Sequence, residues 1–433
     1  MESGVTGLLF QPRDVETLSA FMVRLVENPA FRRQLGENFY EKAEQVYSAE
    51  ATVQHQLDIY RTILRQCAAK KEKRRGVVIC GAYGKGNAGD EAILKAILRQ
   101  LQHIDPDMPI TVLSHNPRST RLTHHVGAVY VFNPFSFLPV MRRTKLYLSG
   151  GGSLIQNQTS TRSLYYYLLS IRLARLTGNK VLMYGCGIGP VNGDGCRRLS
   201  ARVIDKNVDA ITLREDLSAE ELKSMGVTKP SIYVTADPAL LLAPGSEGAV
   251  DGFLLGNNID PAGSYALFVL RDWPGFEEKK DAFVQAAKFA KERCGLQPIF
   301  FALEPNRDLP PSREVARSLG FDCPMLPAPA DEKLIIGMMK KMRVVVSMRL
   351  HALIFASSVA APLVAVSYDP KVTGFMHYIG QKHCVYFEDV TAEKLCGLIS
   401  GALSDPAEYS VEHLRALAAQ NEEIARKLLE EAT

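Results

Sequence analysis

Val344-Val345-Val346-Ser347-Met348-Arg349-Leu350-His351-Ala352-Leu353-Ile354-Phe355-Ala356 is the stretch on which the fold turns. Its first three residues are an apolar β-branched run, the pattern of a parallel strand buried on both faces. From Ala352 to Ala360 the chain reads as a buried helix. A strand followed at once by a helix is half of a β-α-β unit, and in an open α/β sheet ligands bind at that turn. Arg349 and His351 stand in it. A guanidinium grips a carboxylate or phosphate through two parallel hydrogen bonds. An imidazole exchanges a proton near neutral pH. A second strand, Pro362 to Ser367, ends in Tyr368-Asp369-Pro370-Lys371 and brings another cation, Lys371, to the same rim. An ordinary turn with a surface arginine and a capping histidine has the same local pattern. Three polar groups at successive strand ends favour a site for an anionic ligand.

The unit repeats on both sides. Tyr265 to Leu270 reads as a strand with Arg271-Asp272-Trp273 at its end. A helix over 277–293, a strand from Pro298 to Ala302, and helices over 311–319 and 331–341 follow. The tail from Val411 to Glu431 is a long amphipathic helix. An earlier set begins at Gly76, with strand Val77 to Cys80, a glycine-rich loop from Gly81 to Glu91 and a helix from Ala92 to Leu101. That loop holds Tyr83, Gly84, Asn87, Gly89, Asp90 and Glu91. Strand, glycine loop and helix bring a phosphate or sugar against bare backbone and a helix N-terminus. The spacing is neither a dinucleotide fingerprint nor a Walker loop. The acids at its end suit sugar hydroxyls better than phosphate, although Asp90 is equally an N-cap. Ile110 to Ser114 and Leu146 to Ser149 are further strands, the latter followed by Gly150-Gly151-Gly152-Ser153, where the backbone can be approached closely. Strands also end in Gly185–Gly189, in Arg214 and in Asp237.

This alternation predicts an α/β chain of two Rossmann-like domains facing a cleft. Pro244 to Gly263, rich in Gly, Pro and Asn, marks the boundary. The expected domains are 73–245 and 246–433. Residues 1–72 form a helical extension: Gly7 to Phe10 is strand-like, and helices follow from Pro12, over 31–46 and over 49–66. The charge run Lys70–Arg75 reads as a solvated linker or the step into the next domain.

Composition narrows the function. The 433 residues are 46% apolar and 23% charged, as in a soluble globular protein. A net charge of +4 and a single Trp give no basis for nucleic-acid binding. The eight cysteines are scattered without a Cys-x-x-Cys pair and read as reduced core residues of a cytosolic protein. No His-x-x-x-His spacing suggests a metal cage, the start is no signal peptide, and no apolar run reaches the roughly 20 residues of a membrane span.

Four segments in order, "GAYGKGNAGDEAIL", "YLSGGGSLIQ", "ITLREDLSAEEL" and "SMRLHALIFA" with "SYDPKV", resemble the polysaccharide pyruvyl transferases, most closely the bacterial CsaB type. The likeness runs from about Gly76 to about Val390. It implies a glycosyltransferase-B-like fold and transfer of a pyruvyl group from phosphoenolpyruvate to a sugar. A cyclic ketal forms across two hydroxyls and phosphate is released, with no cofactor beyond phosphoenolpyruvate as co-substrate. In the CsaB type the acceptor is a β-N-acetylmannosamine residue of a lipid-linked precursor of secondary cell wall polysaccharide, and the ketal later helps anchor surface-layer proteins. The resemblance therefore implies a cytoplasmic protein, peripheral at the inner face of the membrane, with a glycosyltransferase as a candidate partner. The family's Arg-Leu-His falls on Arg349, Leu350 and His351, and its first-domain Arg on Arg214. The first 70 residues are instead similar to the C-terminal tail of a retaining glycosyltransferase.

These assignments suit the chemistry. Phosphoenolpyruvate needs at least two cationic grips, and Arg214, Arg349 and Lys371 supply them, with Arg271 on the same rim. His351 is the expected proton-transfer group. Asp90 or Glu91 orients or deprotonates the acceptor hydroxyl, and Tyr83 stacks on a sugar face. Gly84, Asn87, Gly89, Gly151, Gly152 and Ser153 line the substrate. Two other readings share the architecture: a sugar-nucleotide-dependent glycosyltransferase and a non-catalytic binding protein for phosphorylated sugars. The first calls for an acid at a second-domain strand end, where Asp369 alone stands out.

Overall fold

A computed structural model describes residues 3–68, 74–158, 160–327, 329, 331–405 and 409–432. Three helices open the chain: α1 (Val15–Glu27), α2 (Pro29–Tyr47) and α3 (Ala49–Ala68). Asp14 caps α1, its Oδ1 accepting from Thr17 N at 3.0 Å. Gly7–Phe10, expected as a strand, forms none. Gly7 makes only an isolated bridge to Ser3, for want of a neighbouring strand to pair with. Most of the Lys70–Arg75 run lies outside the described residues, but its end is docked on protein. Arg74 Nε donates to Thr144 O at 3.0 Å, and Arg75 N to Arg143 O at 2.7 Å.

The first sheet and its helices run β1 (Val77–Cys80), α4 (Ala88–Ile104), β2 (Ile110–Ser114), α5 (Pro117–His124), β3 (Gly127–Tyr130), α6 (Pro134–Arg143), β4 (Leu146–Ile155), α7 (Thr161–Leu176), β5 (Lys180–Ile188), α8 (Asp194–Asn207), β6 (Ala210–Leu213), α9 (Asp216–Met225) and β7 (Ser231–Val234). All pairs are parallel, in the order β3-β2-β1-β4-β5-β6-β7. A helix, α10 (Glu247–Gly256), occupies the segment expected as a loop-rich boundary. Ser246 caps it, and Val250, Phe253 and Leu254 bury its apolar side. The apolar spacing outweighs the flanking glycines and prolines.

The second sheet follows with β8 (Tyr265–Val269), α11 (Phe276–Glu292), β9 (Gln297–Phe301), α12 (Pro305–Arg317), β10 (Met325–Leu326), α13 (Glu332–Lys340), β11 (Val344–Ser347), α14 (Leu350–Ser357), β12 (Leu363–Ser367), α15 (Pro370–Tyr378), β13 (Cys384–Tyr386) and α16 (Ala392–Ser404). It too is parallel throughout, ordered β10-β9-β8-β11-β12-β13. The α12 helix begins six residues before the expected 311, because Pro305 takes its first turn. β11 is buried at all four positions and α14 at seven of its eight, as the opening stretch predicts.

The sheets are joined by more than one crossing. The last helix, α17 (Val411–Glu431), leaves the second sheet and packs on the first. Asn421, buried, donates to Ala236 O at 3.0 Å and accepts from Thr235 Oγ1 at 3.0 Å. Lys95 of α4 pairs with Glu332 of α13 at 2.6 Å, and Tyr378 Oη donates to Thr235 O. Among the described residues, no helix is long and apolar enough to cross a membrane.

Candidate active site

In each sheet the strand order reverses beside its first strand, between β1 and β4 and between β8 and β11. Those carboxyl ends are where a doubly wound sheet binds ligands. Here they enclose a cleft of about 400 Å³, the size of a small-molecule site. From the first domain it receives Lys85, Asn87, Asp90, Gly152, Ser153 and Arg214. From the second come Arg271, Arg349, Leu350, His351 and Lys371.

His351 sits in the first turn of α14, and its ring lies against Gly89 in the first turn of α4. A Cβ on Gly89 would overlap the imidazole. Gly89 thus serves the approach of the two domains and does not itself line the ligand space. The His351 Nε2 is buried with no hydrogen-bond partner among the described residues. Burial pushes the imidazole down to about 3, and Arg214, Lys371 and Arg349 add repulsion. The ring is therefore neutral, with one nitrogen free for a ligand.

Asp90 projects from α4, whose N-cap is Asn87, with Oδ1 accepting from Gly89 N at 3.0 Å. Gly152 lies beside it: a Cβ there would stand 3.5 Å from Asp90 Oδ1. Burial raises this carboxyl to about 7 and neighbouring Glu91 adds to the rise, while Arg214, Lys85 and Lys371 oppose it. Asp90 is thus the cleft group that changes charge near neutrality.

The arginines are already engaged. Arg214, only 2% exposed, has Nε 3.1 Å from Glu215 Oε2 and Nη1 3.1 Å from Asp237 Oδ2, and its Nη2 donates to Ser153 Oγ at 3.1 Å. Arg349 donates from Nε to Asp308 Oδ1 at 2.8 Å, from Nη2 to the same oxygen, and stands 2.9 Å from Glu304 Oε2 through Nη1. Arg214 and Arg349, the expected grips on the donor, are thus each paired already with two carboxylates, as a buried charge requires partners. Lys371 pairs with Asp369 at 3.1 Å. Arg271 donates to Tyr368 Oη at 2.9 Å and, among the described residues, neither it nor Lys85 pairs with a carboxylate.

Four other expectations change. Tyr83 is 1% exposed and donates to Gly150 O at 2.7 Å, so it cannot stack on a sugar. Glu91 accepts from Gly84 N at 2.7 Å and lies 3.1 Å from His124 Nε2, which ties down the loop and takes the carboxylate out of the cleft. Gly84 closes on β2, where a Cβ would meet Ser114 and Asn116. Gly151 closes on Ile93 of α4. Glu304 and Asp308 were missed. They stand after β9, an acidic i, i+4 pair at a strand-helix turn, and contradict the view that Asp369 alone marks an acid at a second-domain strand end. Lys85, Arg307 and Tyr368 also reach the cleft without having been singled out.

A family model described as polysaccharide pyruvyl transferase matches residues 87–370, well over half of the chain. The chain belongs to the polysaccharide pyruvyl transferase family. Both cleft walls lie almost wholly within that match, so in this pyruvyl transferase the family region and the cleft coincide. None of the curated proteins matches it. Among solved structures it is similar to UDP-GlcNAc 2-epimerase from Methanocaldococcus jannaschii, 12% identical, with TM-score 0.55 over 82% of this chain and 99% of that one. It is similar also to Anabaena HepE in complex with UDP and glucose, 11% identical, with TM-score 0.55 over 82% and 100%. The S. aureus MnaA–UDP co-structure is 11% identical, with TM-score 0.52 over 80% and 91%. At these identities the likeness is one of fold: the transferase is glycosyltransferase-B-like, two Rossmann-like domains with an N-terminal helical extension.

Proposed function

We propose that the protein transfers the pyruvyl group of phosphoenolpyruvate to a sugar, forming a cyclic ketal and releasing phosphate. The acceptor we infer is N-acetylmannosamine on a lipid-linked cell wall precursor of the CsaB type, met at the inner face of the membrane. No cofactor is required beyond the phosphoenolpyruvate co-substrate. One observation carries this reading: a neutral imidazole with a free Nε2 and a carboxyl that titrates near pH 7 face one cleft together with cations from both domains.

The chemistry needs two protons moved. Two acceptor hydroxyls each lose one; one proton ends on the methylene carbon, which becomes a methyl group, and the other leaves with phosphate. The protonated form of Asp90 is suited to give the proton to the methylene, and neutral His351 to take one from a hydroxyl. Lys85 and Arg271, which have no carboxylate partner among the described residues, suit the donor's carboxylate and phosphate. Anion binding there offsets the repulsion felt by His351 and raises its basicity as the reaction needs it.

The test is phosphate release from phosphoenolpyruvate with a β-N-acetylmannosaminide acceptor, the product examined by NMR for a ketal methyl. Arg271→Ala is expected to raise the KM for phosphoenolpyruvate at least about tenfold, as loss of one charge-assisted contact does. Sugar transfer from a UDP-sugar with no phosphate release from phosphoenolpyruvate would replace this reading with the glycosyltransferase one.

A further inference from the structure

A row of aromatic rings leads out of the cleft along the carboxyl rim of the first sheet. It starts at Tyr167, buried in the cleft wall. Tyr166 follows at 5.3 Å between ring centroids, then Phe132 at 5.2 Å, each edge to face. Phe132 meets His115 at 5.2 Å and Tyr130 at 5.9 Å, again edge to face. Backbone contacts hold the row: Tyr166 Oη donates to Val131 O at 2.9 Å. The outer rings are open to solvent, Phe132 at 55% and Tyr130 at 46%. A folded chain spends free energy to keep such rings exposed, and contiguous ones bordered by polar groups mark a ligand groove.

Two asparagines make the polar border. Asn116 accepts from Ser119 N at 3.1 Å through Oδ1, and Asn133 likewise from Phe135 N at 3.1 Å, as helix caps. Capping uses the oxygen of each amide, and among the described residues neither NH₂ has an acceptor. Rings with an apolar face and amides with free donors are the pair of groups that a pyranose requires, its C–H faces on the rings and its hydroxyls on the amides. An acyl or isoprenoid chain would use the rings but make no hydrogen bond to those amides.

We propose that this row is an extended saccharide subsite: it holds the sugar units that adjoin the acceptor sugar in the cleft. The proposal rests on the pyruvyl transfer reading for the position of the acceptor sugar. Tyr166 and Tyr167 are packed into the core, so the exposed outer rings, Phe132 and Tyr130, are the ones that offer faces to the chain.

Two measurements separate the proposal from that reading. The first compares phosphate release with a disaccharide and a tetrasaccharide that share a terminal β-N-acetylmannosamine. Wild type is expected to favour the tetrasaccharide in kcat/KM by about tenfold, and Phe132→Ser and Tyr130→Ala, each checked for folding by circular dichroism, to reduce that ratio to near one. A surface control, Leu176→Ser on the exposed end of α7, keeps the ratio. Equal rates for both acceptors in wild type, or an undiminished ratio in folded Phe132→Ser and Tyr130→Ala, overturns the proposal. The second measures binding of the full chain to an array of bacterial oligosaccharides without phosphoenolpyruvate, and decides the matter even if no phosphate is released. Binding lost in Phe132→Ser supports the subsite. No binding by wild type, or binding unaffected by both variants, overturns it. Phe132-dependent sedimentation with phosphatidylglycerol vesicles in place of saccharide binding would assign the row to lipid and overturn it as well.

Discussion

His351 and Asp90 carry opposite perturbations within one cleft, and their pH dependences follow. The imidazole is held down to about 3 by burial and by three cations. Between that value and its ordinary 6.5 the unfolded chain binds a proton that the folded chain does not, so this residue makes stability fall as pH drops through the window. Asp90 is raised to about 7. Between 3.8 and 7 the folded chain holds the extra proton, so this residue makes stability fall as pH rises. From about pH 4 to 6.5 the two slopes oppose each other in wild type, and single variants should separate them. His351→Gln should tilt the profile towards lower stability with rising pH, and Asp90→Asn the other way, each by at most about 1.4 kcal/mol per pH unit. Urea unfolding at pH 4.5, 5.5 and 6.5 measures this; parallel profiles for all three proteins would contradict the electrostatic account. In turnover, His351→Gln should lose at least about a hundredfold in kcat with a smaller change in phosphoenolpyruvate binding. A folded His351→Gln protein with near-normal kcat would remove the ring from the mechanism.

Between elements, the decisive contact is the first turn of α14 on the first turn of α4. Gly89 leaves room there for the His351 ring, and any side chain at 89 must move either the ring or the helix. The neighbours of a packed interface yield little. Gly89→Ala is therefore expected to stay folded, to cost about 1–3 kcal/mol in stability by overpacking, and to lower kcat about tenfold or more through displacement of His351. The same variant in a His351→Gln background should cost little further activity, because the residue it displaces is gone. Equal fold-losses in both backgrounds would show that Gly89 acts through something other than the ring. The pairing of α12 with the β11–α14 turn works at the same scale. Asp308, with no exposed surface, and Glu304 orient the Arg349 guanidinium. Arginine is needed there because only a planar fork can serve both.

At the scale of the molecule, the N-terminal helices attach to the second domain. Phe31 and Leu35 are buried, and Asn38, buried, donates to Val5 O at 3.0 Å and to Gly248 O of α10 at 3.3 Å. Arg24 donates to Leu255 O and Gly256 O at 2.8 and 2.6 Å. None of these residues reaches the cleft. A chain beginning near Lys73 should keep kcat within about twofold and lose stability, since burial of Phe31 and Leu35 alone contributes about 1.5–3 kcal/mol each. Thermal unfolding and phosphate release on the same sample check both halves. Soluble, folded and inactive protein would show that the extension shapes the cleft. The C-terminal helix is different: α17 binds the first domain through Asn421 while its chain comes from the second, so it fastens the two domains together.

The two parallel sheets, the glycine-rich turns and ten of the thirteen described strands were legible in the sequence alone, whereas the short edge strands β3, β10 and β13 were not and Gly7–Phe10 forms no strand. Parallel strands buried on both faces must be continuous apolar runs, and Val77–Cys80 and Val344–Ser347 can be little else. The polar ends Asp90, Ser153, Arg214, Arg271, Arg349, His351 and Lys371 were legible for the same reason, as breaks in those runs at the carboxyl rim. Tertiary structure decided what each of them faces. Tyr83 and Glu91 occupy the same loop as Asp90, yet one is buried on Gly150 and the other turned to His124. Local sequence sets the order of side chains along a turn, but packing sets their direction. The arginines are paired likewise with carboxylates far along the chain, Asp237 for Arg214 and Asp308 for Arg349. Their attraction acts through space once the sheets have brought them together, and no spacing within the sequence records it.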